Sequence, residues 1–184
     1  MNITKKAIFL DRDGVIIENQ AAYVRSWDDV FIFPQAIAAL AKIAVTPYKI
    51  ILVTNQSVVG RGIISLAAAQ AINEHLVNEI EKVGGRVDDV LMCPHAPSDD
   101  CSCRKPKPGL LLQATQHHHL ALTQSLMIGD ALTDVEAGQR AGIGQVGLVQ
   151  TGRGVEQLRL PRRAELRPFS VFADLAEALA TWIK

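Results

Sequence analysis

Asp11 and Asp13 stand two residues apart directly after the apolar run at residues 7–10, and Gly14 follows them. In an extended chain residues i and i+2 point to the same side, so the two carboxylates can converge on one point. Two bare carboxylates that close repel, and one is pushed to keep its proton unless a cation lies between them. A hard divalent ion such as Mg²⁺, which takes oxygen ligands and keeps several waters, removes the conflict. Alone, Asp-x-Asp-Gly is equally an ordinary solvated turn, so residues elsewhere must decide.

Polar residues recur at the ends of later apolar runs. Residues 49–53 lead into Thr54-Asn55-Gln56-Ser57, where a hydroxyl and two amides can donate hydrogen bonds to an oxyanion. Beyond the run at 87–92 come Arg104-Lys105-Pro106-Lys107-Pro108-Gly109. A fixed cation beside transferring phosphoryl oxygens stabilises the charge of the transition state. The run at 125–128 leads into Gly129-Asp130, with Thr133 and Asp134 just beyond. Asp130 offers a further carboxylate to the same cation. Asp134 either orients a metal-bound water or caps the helix that starts near Thr133. Ligands of open parallel sheets bind outside the carboxyl ends of the strands, which gives these positions their weight.

The third chemical feature is a cysteine loop. Cys93-Pro94-His95 and Cys101-Ser102-Cys103 supply three thiols and an imidazole within eleven residues. An odd cysteine count disfavours a disulfide framework. Three thiolates and one imidazole form a tetrahedral zinc set, structural because four protein ligands leave no open position. Such an ion would hold Arg104 and Lys105 in place. His117, His118 and His119 resemble another ligand cluster, but adjacent helical residues diverge, and the expectation is an exposed helix end.

These residues need a frame. Short apolar runs at 7–10, 49–53, 87–92, 125–128 and 144–149 alternate with helix-like stretches, which predicts a three-layer, Rossmann-like α/β fold. The runs are too apolar to have a wet face, so helices should cover both sides of the parallel sheet. Pro34 opens a helix carrying Ile37, Leu40, Ala41 and Ile43. Ser65 N-caps a second, with Leu66, Ala69, Ile72, Leu76 and Ile80 on its apolar side and Gly84-Gly85 as its stop. A third starts at Pro108-Gly109 and reaches about His117, and a fourth spans 133–141 and ends at Gly142. The last, 174–182, is amphipathic and expected on an edge of the sheet. Residues 152–168 show no period and read as a surface excursion. Without repeats or a low-complexity linker, residues 1–184 are expected to form one domain.

The chain of 184 residues is 48% apolar and 21% charged, ordinary for a soluble domain. Lys plus Arg and Asp plus Glu both total 19, and this neutrality argues against a nucleic-acid partner. No apolar run approaches the roughly 18 residues a membrane span needs. Asp11 interrupts the first run too early for a signal peptide, so a cytoplasmic location is expected.

In this order, Asp11-Arg12-Asp13-Gly14, Thr54-Asn55, Lys105 and Gly129-Asp130 with Asp134 resemble the haloacid dehalogenase superfamily of phosphohydrolases, over about residues 7–149. The resemblance implies that Asp11 attacks phosphorus to give an aspartyl-phosphate. Asp13 would protonate the leaving oxygen and then deprotonate the hydrolytic water. It further implies that Thr54, Asn55 and Lys105 hold the phosphate oxygens. Mg²⁺ would sit between Asp11, the backbone carbonyl of Asp13, and Asp130. Within the superfamily the chain is similar to the bacterial heptose 1,7-bisphosphate phosphatases and the histidinol-phosphate phosphatases, through Cys93-Pro94-His95 and Cys101-x-Cys103-Arg104-Lys105-Pro106. Ala22-Tyr23-Val24 and Gly60-Arg61-Gly62 look more like the heptose enzymes, and the short spacer between His95 and Cys101 more like the histidinol ones. Ala131 departs from both, where a basic residue is common.

No segment between the motifs is long enough for a separate cap domain. An open cleft walled by the Tyr23, Arg61 and cysteine loops is expected. Gln56, Arg61 and Arg104 would touch substrate there, the two arginines on a second, non-reacting phosphate, while Lys107 is expected to be solvated. The expected function is removal of the 7-phosphate of D-glycero-D-manno-heptose 1,7-bisphosphate by a monomer needing no nucleic acid or membrane. Histidinol-phosphate hydrolysis is the second reading. A zinc-stabilised binding module without catalysis is the third, and it leaves the order of the four motifs unexplained.

Overall fold

Alternate residues of the short apolar runs face opposite sides of one sheet, and both sides are covered. Ile8 and Leu10 pack into one apolar layer and Ala7 and Phe9 into the other, all four without solvent exposure. The computed structural model describes residues 5–161 and 165–183. Its strands are β1 (Ala7–Leu10), β2 (Lys49–Asn55), β3 (Asp89–Cys93), β4 (Leu126–Gly129), β5 (Gln145–Val149) and β6 (Ser170–Phe172). All pair in parallel, in the order β3-β2-β1-β4-β5-β6.

The α-helices are α1 (Pro34–Ile43), the single turn α2 (Ser57–Gly60), α3 (Leu66–Lys82), α4 (Gly109–His118), α5 (Leu132–Ala141), α6 (Gly154–Arg159) and α7 (Leu175–Trp182). Their ends follow local chemistry. Pro34 opens α1 with its φ already set for a helix. The Ser65 hydroxyl accepts from the Ala68 N–H at 3.1 Å, and Gly142 turns the chain out of α5 at φ +81°. Helices α1, α3 and α7 cover one face of the sheet, and α4 and α5 cover the other. The result is a three-layer, Rossmann-like α/β fold. No described element forms a cap over the sheet; residues 15–33 hold isolated bridges at Ile17 and Ile32 and a 3-10 turn, Trp27–Asp29, whose Trp27 ring stacks on His75 of α3.

Three expectations need correction. The strand β6 lacks a pattern long enough to read, because three residues sample only one and a half periods of alternation. It occupies the sheet edge assigned to the last helix, and α7 instead packs on the face beside α1. Residues 152–168 are no mere excursion: α6 lies there, and its approach reaches the acidic site. No helix of the described residues is long and apolar enough to cross a membrane.

The chain passes from β1 outward to β2 and β3, then returns across β1 to place β4 on its other side. That reversal leaves a crevice beyond the carboxyl ends of β1 and β4.

Candidate active site

Asp11 leaves β1 at this crevice, where its N–H donates to the Ile128 carbonyl of β4 at 3.0 Å. The residue is 5% exposed, and its carboxylate meets Lys105, whose Nζ donates to Asp11 Oδ1 at 2.8 Å and to the Val53 carbonyl at 2.7 Å. The same ammonium reaches Asp134 Oδ1 at 2.6 Å. Burial lifts the Asp11 carboxyl to a pKa of about 6, against the pull of Lys105 and with a further push from Asp134 and Asp13. For Lys105 burial acts downward, but Asp11 and Asp134 outweigh it and keep the amine charged.

Asp13 shares the turn but has different partners. Arg12 donates to it twice, Nε to Oδ2 at 3.1 Å and Nη2 to Oδ1 at 2.9 Å. Gln56 Nε2 donates at 2.8 Å and the Thr54 hydroxyl at 3.3 Å. Burial pushes the Asp13 carboxyl up, yet Arg12 and Gln56 hold it below the usual carboxylate range. Arg12 is itself 1% exposed and anchored on Asn73 Oδ1 of α3 at 2.7 Å. The two carboxylates of one motif thus lie in opposite electrostatic settings.

Asp130, at the end of β4, is fully buried and accepts from Asn19 Nδ2 at 3.1 Å. It also accepts from the Arg153 N–H at 2.8 Å, and the Arg153 guanidinium lies 3.3 Å away. Burial and Asp11 raise its pKa, with Arg153 opposing. Of the two roles foreseen for Asp134 the geometry shows the helix cap, its Oδ2 accepting the Ala131 N–H at 3.0 Å at the start of α5, while its Oδ1 pairs with Lys105. Burial pushes its carboxyl up too.

One carboxylate oxygen from each of Asp11, Asp130 and Asp134 lies within 4.8 Å of the others. Around them four buried or half-buried aspartates, with Asp13, answer to three cations, Arg12, Lys105 and Arg153. That surplus of negative charge and the raised carboxyls fit a hard divalent cation. Glycines make room for the acids: Gly14 (φ +82°) and Gly152 (φ +58°) each carry their missing Cβ toward Asp130, where any side chain would collide.

The site opens into a cavity of about 320 Å³ whose lining includes Asp11, Asp13, Asn19, Tyr23, Asn55, Gln56, Arg61, Arg104, Lys105 and Arg153. Asn55 also locks the Lys105 backbone, donating to its carbonyl at 3.0 Å and accepting its N–H at 3.1 Å. Thr54 is fully buried, and its hydroxyl is committed to Asp13 and Gln56 rather than to the cavity wall. Lys107 turns away and pairs with Asp100 at 2.5 Å.

Sequence reasoning missed Arg12, Asn19 and Arg153. The signal for Arg153 was present: Thr151-Gly152-Arg153 follows the carboxyl end of β5, and the Thr151 hydroxyl donates to the Gly14 carbonyl at 2.6 Å.

The cysteine loop gathers as foreseen. Sulfur separations are 3.6 Å for Cys93 and Cys101, 3.2 Å for Cys93 and Cys103, and 3.4 Å for Cys101 and Cys103. His95 Nδ1 lies 3.6 Å from Cys93 Sγ and 3.3 Å from Cys103 Sγ. None of these is a disulfide. A tetrahedral ion with sulfur bonds of about 2.3 Å has edges of about 3.8 Å, close to this arrangement. Burial pushes the Cys93 thiol up to about 12, so a cation is what would make it a thiolate.

Known proteins are similar to this chain along most of its length. Residues 102–178 match the model of a HAD-hydrolase-like family. The chain is 36% identical, over 177 residues covering 96% of it and 99% of the relative, to D-glycero-beta-D-manno-heptose-1,7-bisphosphate 7-phosphatase of Pseudomonas aeruginosa. It is 37% identical, over 80% of its length and 84% of the relative's, to the D-glycero-alpha-D-manno-heptose-1,7-bisphosphate 7-phosphatase of Photorhabdus laumondii. The crystal structure of the D,D-heptose 1,7-bisphosphate phosphatase of B. bronchiseptica, complexed with magnesium and phosphate, superposes with a TM-score of 0.89. It is 35% identical, and the match covers 96% of this chain and 97% of that one. Sheet order, strand-end acids and a buried lysine clamp define a haloacid dehalogenase-like phosphatase. More narrowly, the chain belongs to the family of the heptose-1,7-bisphosphate 7-phosphatases.

Proposed function

We propose that this phosphatase removes the 7-phosphate of D-glycero-D-manno-heptose 1,7-bisphosphate, with Asp11 as nucleophile and Asp13 as general acid and base. The observation that carries the reading is the opposed setting of the two carboxylates, Asp11 on Lys105 and Asp13 on Arg12 and Gln56. An ionised Asp11 attacks phosphorus and the ester oxygen leaves, giving an aspartyl-phosphate. Asp13 needs a proton to serve as acid in that step; the dianion of a bound phosphate, a like charge beside it, favours one. Once the alcohol has left with that proton, Arg12 and Gln56 stabilise the anionic Asp13. It takes a proton from the water that attacks phosphorus as the bond to Asp11 breaks, freeing the aspartate and inorganic phosphate. Lys105 neutralises phosphoryl oxygens, and Asn55 fixes its backbone.

Asp11, Asp130 and the main-chain carbonyl of Asp13 would hold Mg²⁺, which supplies charge neutralisation at the phosphoryl group. Cys93, His95, Cys101 and Cys103 would hold a structural Zn²⁺. Arg61, Arg104 and Arg153, on the cavity wall, suit the second phosphate of a bisphosphate. The groups invoked surround the carboxyl ends of one sheet, so the proposed site is complete within a single domain; a cytoplasmic monomer is part of the same proposal.

The test is phosphate release with Mg²⁺ from both anomers of the heptose bisphosphate and from histidinol phosphate. The bisphosphate should show the larger kcat/KM by at least a hundredfold, and Asp11→Asn should abolish turnover while the circular dichroism spectrum persists. A preference for histidinol phosphate would overturn the substrate; an active Asp11→Asn variant would overturn the mechanism.

A further inference from the structure

A second cluster of ligand side chains lies at the opposite end of the strand–helix pair that carries the cysteines. The loop bearing the cysteines joins the end of β3 to the start of α4, so Cys93 closes the strand and Cys103 stands six residues before Gly109. At the other end, Asp89 begins β3 and His117 and His118 end α4. His118 is 14% exposed and its Nε2 lies 2.7 Å from Asp89 Oδ2. The expectation that neighbouring histidines diverge fails here, because the His117 ring sits edge-on against that of His118, centroids 4.6 Å apart at 82°. One ligand atom from each of the three residues lies within 4.8 Å of the others.

We propose that Asp89, His117 and His118 form a second metal site, for a divalent transition ion of the kind that favours imidazole nitrogen. Two imidazoles and a carboxylate are a ligand set for such ions, with positions left for water. The carboxylate is pre-positioned, since Asp89 Oδ1 accepts the Val90 N–H at 2.8 Å and leaves Oδ2 facing the rings. The end of α4 presents the negative pole of its dipole to a cation there. A recess of about 370 Å³ beside Asp89 and His117 gives room for the ion and its waters, and Gln113, one turn before His117, lines it as a further oxygen donor. A hydrogen bond between His118 and Asp89 explains two of the three groups but not the approach of His117. An ion here would clasp the free end of an edge strand to its covering helix, as an ion in the cysteine cluster would at the other end.

The test titrates the purified protein with Zn²⁺ by calorimetry and with Co²⁺ by absorption. Wild type should take one equivalent beyond those of the cysteine cluster and the acidic site, and the Co²⁺ spectrum of that equivalent should lack thiolate charge transfer. His117→Ala and Asp89→Asn should each weaken that equivalent at least tenfold, and the double variant His117→Ala/His118→Ala should lose it, the cysteine-bound ion being retained in all. His117 is exposed, so His117→Ala carries the test if Asp89→Asn fails to fold. Absence of a further equivalent overturns the proposal. So does one that survives the double variant, or one with thiolate charge transfer.

Discussion

At the scale of single residues, the site depends on Lys105 more than on any other side chain outside the aspartates. It is 3% exposed and bridges Asp11 and Asp134. Lys105→Met should lower kcat by about a hundredfold or more, since it removes the cation proposed to neutralise the phosphoryl oxygens. It should also destabilise the protein by roughly 3 kcal/mol, because two buried carboxylates lose their partner; steady-state kinetics and chemical denaturation read the two effects separately. Asp11, Asp13 and Asp130 were legible in the sequence because each follows a strand, and Lys105 because it lies in the basic, proline-held stretch that closes the cysteine loop. Arg12 was not, although it stands between the two aspartates. Alternation along the chain turns its side chain away from theirs, and only the fold shows that the guanidinium curls back onto Asp13 and Asn73. Arg153 did carry a signal, its place just after a strand end, but local sequence cannot show that its turn lies against the Gly14 turn, 137 residues away from Thr151.

At the scale of elements, the cysteine loop and Lys105 act as one unit, since Cys103 stands two residues before the clamp. Chelation of the metal at this loop should lower both the melting temperature and kcat, and re-addition of Zn²⁺ should restore them together; thermal scans paired with assays check this. A loss of stability with full activity would separate loop from clamp. The entry to β2 carries a second testable device. Burial pushes the Asp88 carboxyl up, but Lys49 at 2.6 Å and the Ile50 N–H at 2.9 Å hold its pKa below the ordinary value. A depressed carboxyl stabilises the fold above its unfolded pKa of about 4, and the contribution disappears as pH falls through the lower folded value. Asp88→Asn should therefore cost about 1 kcal/mol at pH 7 and progressively less below about pH 4, as seen in urea unfolding at several pH values. The five longer strands were readable from their apolar runs because both faces are buried. The turn α2 and the helix α6 escaped, being four and six residues long, too short for a helical period to declare itself.

At the scale of the whole molecule, a chain of zero net charge concentrates opposite charges at one place. Acids floor the crevice, and Arg61, Arg104 and Arg153 stand on its walls, two of them without a carboxylate partner among the described residues. Raising ionic strength should therefore increase KM for a bisphosphate several-fold while leaving kcat within about twofold, because screening weakens the exposed cations more than the buried pair of Lys105 and Asp11. Initial rates over a salt series decide it.

The position of β1 has a consequence for how the molecule is made. The first strand of the chain is an inner strand of the sheet, and the neighbour on its β4 side is contributed 118 residues later, as the bond from Ala7 N–H to the Ser125 hydroxyl shows. During synthesis β1 can pair early with β2, but its other edge stays open until β4 has left the ribosome. Asp11 reaches its working environment only then, with Asp130 on one side and Lys105 on the other. Contacts of such long sequence separation form slowly and leave a hydrophobic edge exposed in the interval. A nascent chain released before residue 130 would carry Asp11, Lys105 and the cysteine loop, yet lack the strand that brings them into register.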